Sequence, residues 1–132
     1  MIDIENELFT RIATKLRSEY QPIMVVGEYV RQPSRFPFVS IVEQDNSTYG
    51  RSSDCTERHS SLMYEINVYS NLVTGKKSEC KKIMKTIDEE MLNMGFQRIT
   101  SRPVPNLEDA TVYRIMNRYR GIVDDRKYIF RR

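Results

Sequence analysis

The stretch Leu62-Met63-Tyr64-Glu65-Ile66-Asn67-Val68-Tyr69 decides the fold of this 132-residue chain. Its even-numbered positions are all apolar or aromatic, whereas Glu65 and Asn67 fall between them. This period of two is typical of a β-strand that is covered on one side only. The stretch therefore predicts a sheet with one face packed against other elements.

Two helical patterns supply the cover for such a sheet. Apolar residues recur every four positions from Ile4 to Tyr20, and a second stripe runs from Cys80 to Met94. Both spacings keep the side chains on one face of an α-helix. Gly95 is placed to end the second helix in a left-handed conformation.

Further strands are predicted on both sides of the second helix. Residues 23–30 and 38–43 are rich in branched and aromatic side chains and are expected to form a hairpin. Residues 96–102 and 111–119 give two more strands across a Pro-rich turn, with a short last strand over 127–130. The chain is thus one domain, 1–132, of the α+β class in the order α-β-β-β-α-β-β. We expect two helices on one face of a mostly antiparallel sheet of about five strands.

A long polar segment, residues 45–61, contains no aliphatic side chain. At 17 residues it exceeds the usual loop length, and loops of this size are often functional. We predict a loop over 45–61 that is mobile in the free protein and orders against a neighbouring subunit or ring.

A second alternating stretch, residues 112–120, carries the basic charge. Alternation puts Tyr113, Ile115, Asn117 and Tyr119 on one face of a strand, and Arg114, Met116, Arg118 and Arg120 on the other. Arginine and tyrosine are enriched at protein interfaces, although arginines in a strand also suit nucleic acid. The candidate interface residues are Tyr49, Arg51, Arg58, Arg114, Arg118 and Arg120.

Charge is distributed unevenly along the chain, whose formal net charge is +3. Residues 98–132 carry nine Lys/Arg against four Asp/Glu, which permits an acidic partner. The second helix begins with lysines and ends with Asp88-Glu89-Glu90, the reverse of what the helix dipole favours. One interpretation is a polarised surface that meets a complementary neighbour; the other is that the order has no consequence.

The sequence offers little for catalysis. No two glycines are closer than twenty residues, which excludes glycine-rich phosphate loops and the G-x-S-x-G elbow. His59 is the sole histidine, and with Cys55 it supplies too few ligands for a fixed metal site. Cys80 lies on the apolar helical stripe and is expected to be buried. We predict no enzyme activity, no metal and no cofactor.

The N-terminal residues Asp3, Glu5 and Glu7 are acidic where a signal peptide is basic, and no apolar run approaches membrane-spanning length. We therefore expect synthesis in the cytosol and no membrane association.

Segments along nearly the whole chain carry a family resemblance. They are Phe36-Pro37-Phe38-Val39-Ser40-Ile41-Val42-Glu43-Gln44-Asp45-Asn46, Tyr64-Glu65-Ile66-Asn67-Val68-Tyr69-Ser70-Asn71, Gly75-Lys76-Lys77, Met94-Gly95-Phe96-Gln97-Arg98, Asp109-Ala110-Thr111-Val112-Tyr113-Arg114 and Tyr128-Ile129-Phe130-Arg131-Arg132. In order and character the sequence resembles the tail terminator, or tail completion, proteins of long-tailed bacteriophages, particularly those from Gram-positive hosts.

The resemblance implies a structural virion protein of the tail or neck, assembled in the host cytoplasm. Such a subunit forms a homo-oligomeric ring, expected to be a hexamer, that caps the tail tube and joins it to the head-side connector. DNA only passes through the lumen, and no cofactor is needed. The alternatives are a minor capsid or head-completion connector protein, and a small nucleic-acid-binding protein that uses the basic C-terminal strand.

Overall fold

The computed structural model of the chain describes residues 2–30, 33–48, 59–105, 110–124 and 129. Within them, two helices and five strands follow one another in the predicted order. Their bounds are α1 (Glu5–Glu19), β1 (Met24–Val26), β2 (Phe38–Thr48), β3 (His59–Ser70), α2 (Lys76–Met94), β4 (Gln97–Pro103) and β5 (Tyr113–Asp124). The predicted α+β fold, with helices packed against a sheet, is confirmed.

The five strands form one sheet in the order β1-β2-β3-β5-β4. β3, which contains the stretch 62–69, is the central strand and pairs antiparallel with β2 and β5. β4 pairs antiparallel with β5 and forms one edge of the sheet, while β1 forms the other. In addition, Ile129 makes an isolated antiparallel bridge to Val123; its predicted strand neighbours 127, 128 and 130 lie outside the described residues.

The predicted hairpin between the first two strands is wrong. β1 is only three residues long and runs parallel to β2, with Met24 opposite Phe38 and Val26 opposite Ser40. A tight hairpin takes about two to five residues, whereas the eleven residues 27–37 are enough to carry the chain back beside β1. Val30 and Phe36 from this connection pack against a small cluster that contains Phe38.

The predicted loop 45–61 is too long at both ends. β2 continues to Thr48 and β3 begins at His59, with Thr48 opposite Ser60 and Ser47 opposite Ser61. Strand pairing joins backbone groups, so polar side chains at the end of a long two-strand ladder do not stop it. Residues 49–58 lie outside the described residues.

The main core lies on one face of the sheet, beneath both helices. The even-numbered residues of the deciding stretch, from Leu62 to Val68, are each fully buried there. The buried helical residues are Leu8, Ile12, Ala13 and Leu16 of α1, and Cys80, Ile83, Met84, Ile87, Met91 and Met94 of α2. Gly95 ends α2 in the left-handed conformation, with φ of 106°, as its position predicted.

Gly121 allows the closest packing in this core. A Cβ atom added there would lie 2.7 Å from two ring carbons of Phe96. The Phe96 ring is 1% exposed and meets the Tyr64 ring edge-on, with centroids 5.7 Å apart. The absence of a side chain at Gly121 therefore lets β5 and the start of β4 close around one aromatic ring.

Candidate functional site

Neither helix of the described part of the chain packs on the opposite side of the sheet, and we call this side the helix-free face. The odd-numbered residues of β3 lie on it beside the even-numbered residues of β5, since Glu65 pairs with Arg118, Asn67 with Met116 and Tyr69 with Arg114. The predicted alternation in residues 112–120 is thereby confirmed. Arg114, Arg118 and Arg120 share this face, and we call them the arginine row.

Glu65 is the centre of the helix-free face. Glu65 is only 4% exposed, yet its carboxylate accepts hydrogen bonds from four side chains. The donors are Tyr29 Oη at 2.7 Å, Gln44 Nε2 at 3.2 Å, Asn67 Nδ2 at 3.2 Å, and Arg118 through Nε and Nη2 at 3.3 Å each. A buried carboxylate that is supplied with this many donors is held in one orientation.

The environment of Glu65 keeps it ionised. Burial alone raises the pKa of its carboxyl, but the hydrogen bonds from Tyr29, Asn67 and Arg118 outweigh burial, so the pKa lies below its usual value. On the other side of this contact, burial and the bond to Glu65 raise the pKa of the Tyr29 hydroxyl. Tyr29 therefore remains a donor, and Glu65 remains a negative charge paired with Arg118.

Each arginine of the row is held by its own partner. Arg114 Nε donates to Asn67 Oδ1 at 2.8 Å, and its guanidinium carbon lies 5.4 Å from the centre of the Tyr69 ring. Arg120 Nε donates to Ser61 Oγ at 2.9 Å. Because alternate residues of a strand are about 7 Å apart, the row extends over about 20 Å. The result is a line of three hydrogen-bonded cations on a sheet surface.

The structure brings together half of the predicted interface residues. Arg114, Arg118 and Arg120 form the arginine row, whereas Tyr49, Arg51 and Arg58 lie outside the described residues.

Sequence reasoning missed Glu65, Tyr29 and Gln44 as parts of the site. The alternation around Glu65 already placed a carboxylate on the face opposite the core. Glu65 and Arg118 are 53 positions apart in the sequence. Their pairing depends on the register between β3 and β5, which no local pattern specifies.

Cys80 and His59 are placed away from any catalytic arrangement in the described part of the chain. Cys80 is fully buried on the side of α2 that packs against the sheet, and its thiol lies 3.6 Å from Val68 O and 3.5 Å from Tyr113 O. Burial raises the pKa of this thiol to about 12, so it is protonated at neutral pH. His59 opens β3 opposite Asp124, and Cys55 lies outside the described residues. No group of three or more metal-ligating side chains occurs among the residues that the structure describes.

Neither of the two described helices is long and apolar enough to cross a bilayer.

No protein-family model matches the chain, and no curated protein matches it. The resemblance to phage tail terminators therefore stays a prediction from the sequence, and the surfaces of the molecule carry the functional argument.

Proposed function

We propose that this chain is a structural subunit of a tailed-phage virion. In this role it forms a homo-oligomeric ring that caps the tail tube and joins it to the head-side connector. DNA passes through the ring, and the subunit makes or breaks no covalent bond. The proposal combines the sequence resemblance with the character of the helix-free face.

The observation that carries the proposal is the prearranged arginine row. Arginine is enriched at protein interfaces because one planar group can make several hydrogen bonds. Ordering a free arginine on binding costs about 0.5–1.5 kcal/mol, and Asn67, Glu65 and Ser61 have already ordered these three. A broad surface of fixed cations suits docking to another protein surface.

Two features of the face favour a protein partner over a nucleic acid. Base stacking along a strand needs several open aromatic faces, but Tyr69 is 5% exposed and lies beneath Arg114, which leaves Tyr29 as the one well-exposed aromatic ring among the described residues of this face. Glu65 also neutralises part of the charge that a phosphate backbone would need. The alternative, nucleic-acid binding, is tested by salt: the affinity of such a protein for nucleic acid would fall steeply as the salt concentration rises.

Removal of the gene from the phage that encodes it tests the proposal. Because a terminator caps a finished tube, we expect tails of uneven length that remain unjoined to filled heads, and rescue by the wild-type protein supplied in trans. Normal virions in its absence would overturn the proposal. Heads that lose their DNA beside normal tails would instead support the head-completion alternative.

A variant of the arginine row links this test to the proposed surface. Arg120→Glu changes an exposed residue at the end of the row, so the fold is expected to survive. We expect at least a tenfold loss of rescue, because a like charge placed at a docking surface is strongly unfavourable. Arg35→Glu, which changes another exposed arginine in the same way, is the matched control and should rescue fully.

A further inference from the structure

A groove with a volume of about 380 Å³ lies on the other side of the sheet, between α2 and the edge strand β4. Its rim is cationic: Lys81 and Lys85 come from the second and third turns of α2, and Arg98 comes from β4. We call this feature the basic groove.

The charge of the basic groove is only partly balanced. Asp88 lies 3.1 Å from Arg98 Nη1 and pairs with that arginine. No carboxylate in the described part of the chain forms an ion pair with Lys81 or Lys85. Two exposed lysines therefore border a cleft with an apolar and amide floor.

The Asn117 side chain gives the floor of the groove a hydrogen-bonding group of fixed orientation. Tyr119 Oη donates to Asp88 Oδ1 at 2.8 Å and has only one hydroxyl hydrogen to give. Tyr119 Oη must then accept from Asn117 Nδ2 at 2.7 Å, which fixes the orientation of the amide. Asn117 Oδ1 is left as a buried acceptor with no donor among the described residues, on a side chain that lines the groove.

An acidic patch lies toward the other edge of the same sheet. It consists of Asp3 and Glu5 at the start of α1 and Glu43 on β2, and the hydrogen bond of 2.7 Å from Asn46 Nδ2 to Ile2 O holds β2 against this end of α1. Burial raises the pKa of Glu43, and the charges of Glu5 and Asp3 raise it further. No lysine or arginine among the described residues forms an ion pair with them.

The two surfaces cannot meet within one molecule. β2 and β4 are separated by three interstrand steps of about 4.8 Å, or about 14 Å, with β3 and β5 between them. A contact between different patches of identical molecules is head-to-tail, and it closes into a ring when the rotation between neighbours allows it.

We infer that the basic groove binds the acidic patch of a second copy of this chain. The inference rests on the proposed function, because it supplies the subunit contact of the proposed ring. Both charged surfaces are present on this molecule, toward opposite edges of one sheet. The floor of the basic groove also favours a protein partner. A phosphodiester backbone offers only acceptors to the Asn117 Oδ1 acceptor, whereas a polypeptide carries N–H donors beside its carboxylates.

Paired charge reversals test the contact. The groove variant is Lys81→Glu with Lys85→Glu, and the patch variant is Asp3→Lys with Glu5→Lys. Sedimentation of the wild-type protein at low salt should show self-association that weakens as salt rises. Each variant alone should raise the dissociation constant at least tenfold, because like charges would then face each other.

A mixture of the two variants gives the sharpest result. The unaltered patch of the groove variant fits the unaltered groove of the patch variant, and the two reversed surfaces also complement each other. A 1:1 mixture should therefore associate again and contain both variants alternately. The control pair is Arg17→Glu with Arg35→Glu, which changes the net charge by the same amount as the groove variant, lies outside both surfaces and should associate like the wild type.

Two results would overturn the inference. One is a wild-type protein that stays monomeric near ~1 mM, where even a millimolar contact would be half occupied. The other is a mixture that fails to associate. Neither result decides the proposed function, which depends on tail joining in the gene-removal experiment. Normal virions without the gene would remove the proposed function while leaving the measured self-association intact.

Discussion

Replacement of Glu65 by glutamine probes the centre of the helix-free face. Glu65→Gln keeps the shape of the side chain, removes its charge and replaces one acceptor oxygen by a donor nitrogen. Since four side chains now donate to the carboxylate, at least one contact in the variant would join two donors. We expect the variant to fold and to have a lower free energy of unfolding.

The expected loss is about 2 kcal/mol at pH 7. A hydrogen bond to a charged group contributes about 1.5–3 kcal/mol, and breaking a fully buried ion pair costs about 3–5 kcal/mol. The Arg118 side chain is 38% exposed and can turn to water, so the smaller range applies. For a domain of this size, 2 kcal/mol corresponds to a fall in Tm of about 8 °C.

The effect of Glu65→Gln should depend on pH in one direction. The pKa of Glu65 is lowered in the folded chain, so its stabilisation is complete above the unfolded-chain pKa of about 4.3. It is lost as the pH falls through the folded pKa. The difference in unfolding free energy between wild type and variant should therefore be largest near neutral pH and shrink in acid.

Urea denaturation followed by circular dichroism measures this difference, since the chain has no tryptophan. Glu43→Gln is the matched control on the neighbouring strand. Because burial and nearby carboxylates raise the pKa of Glu43, loss of its charge should leave the stability unchanged or increase it. Equal losses for both variants, or a Glu65→Gln loss that persists undiminished at pH 3, would refute the reasoning.

Two further predictions concern the core. Gly121→Ala would put a Cβ atom 2.7 Å from the Phe96 ring and should destabilise by about 2 kcal/mol in urea. Gly27→Ala, whose Cβ would meet its nearest side chain at 3.9 Å, should stay within about 0.5 kcal/mol of wild type; equal losses would show that the ring moves aside freely. In a Cys55→Ser background, the Cys80 thiol should react with a thiol reagent at pH 8 at least about a hundredfold more slowly in the native protein than in urea. A fast native reaction would mean that α2 opens readily.

The sequence predicted the elements well where one face is apolar. The alternation in 62–69 and the four-residue spacing in both helices depend on burial, and burial is what the structure shows there. The prediction failed where backbone geometry decides: the direction of β1, and the continuation of β2 and β3 through polar residues. Neither depends on side-chain polarity.

The candidate site was predictable only in part for a similar reason. Alternation placed Arg114, Arg118 and Arg120 on one face, and the structure confirms it. The contacts of Glu65 with Tyr29 and Arg118, and of Arg98 with Asp88, join distant or separately placed elements. They follow from strand register and helix packing, which a local pattern does not contain.

The edge strand β4 has a consequence for how copies of the molecule can come together. Six of its seven residues are exposed, and an open strand edge is a template for indiscriminate pairing and aggregation. Arg98 and Arg102 hold their charges along this edge, and Pro103 removes a backbone donor at its end. Fibril-like stacking through main-chain groups is thereby discouraged, which keeps the protein available for contacts that form and dissolve reversibly.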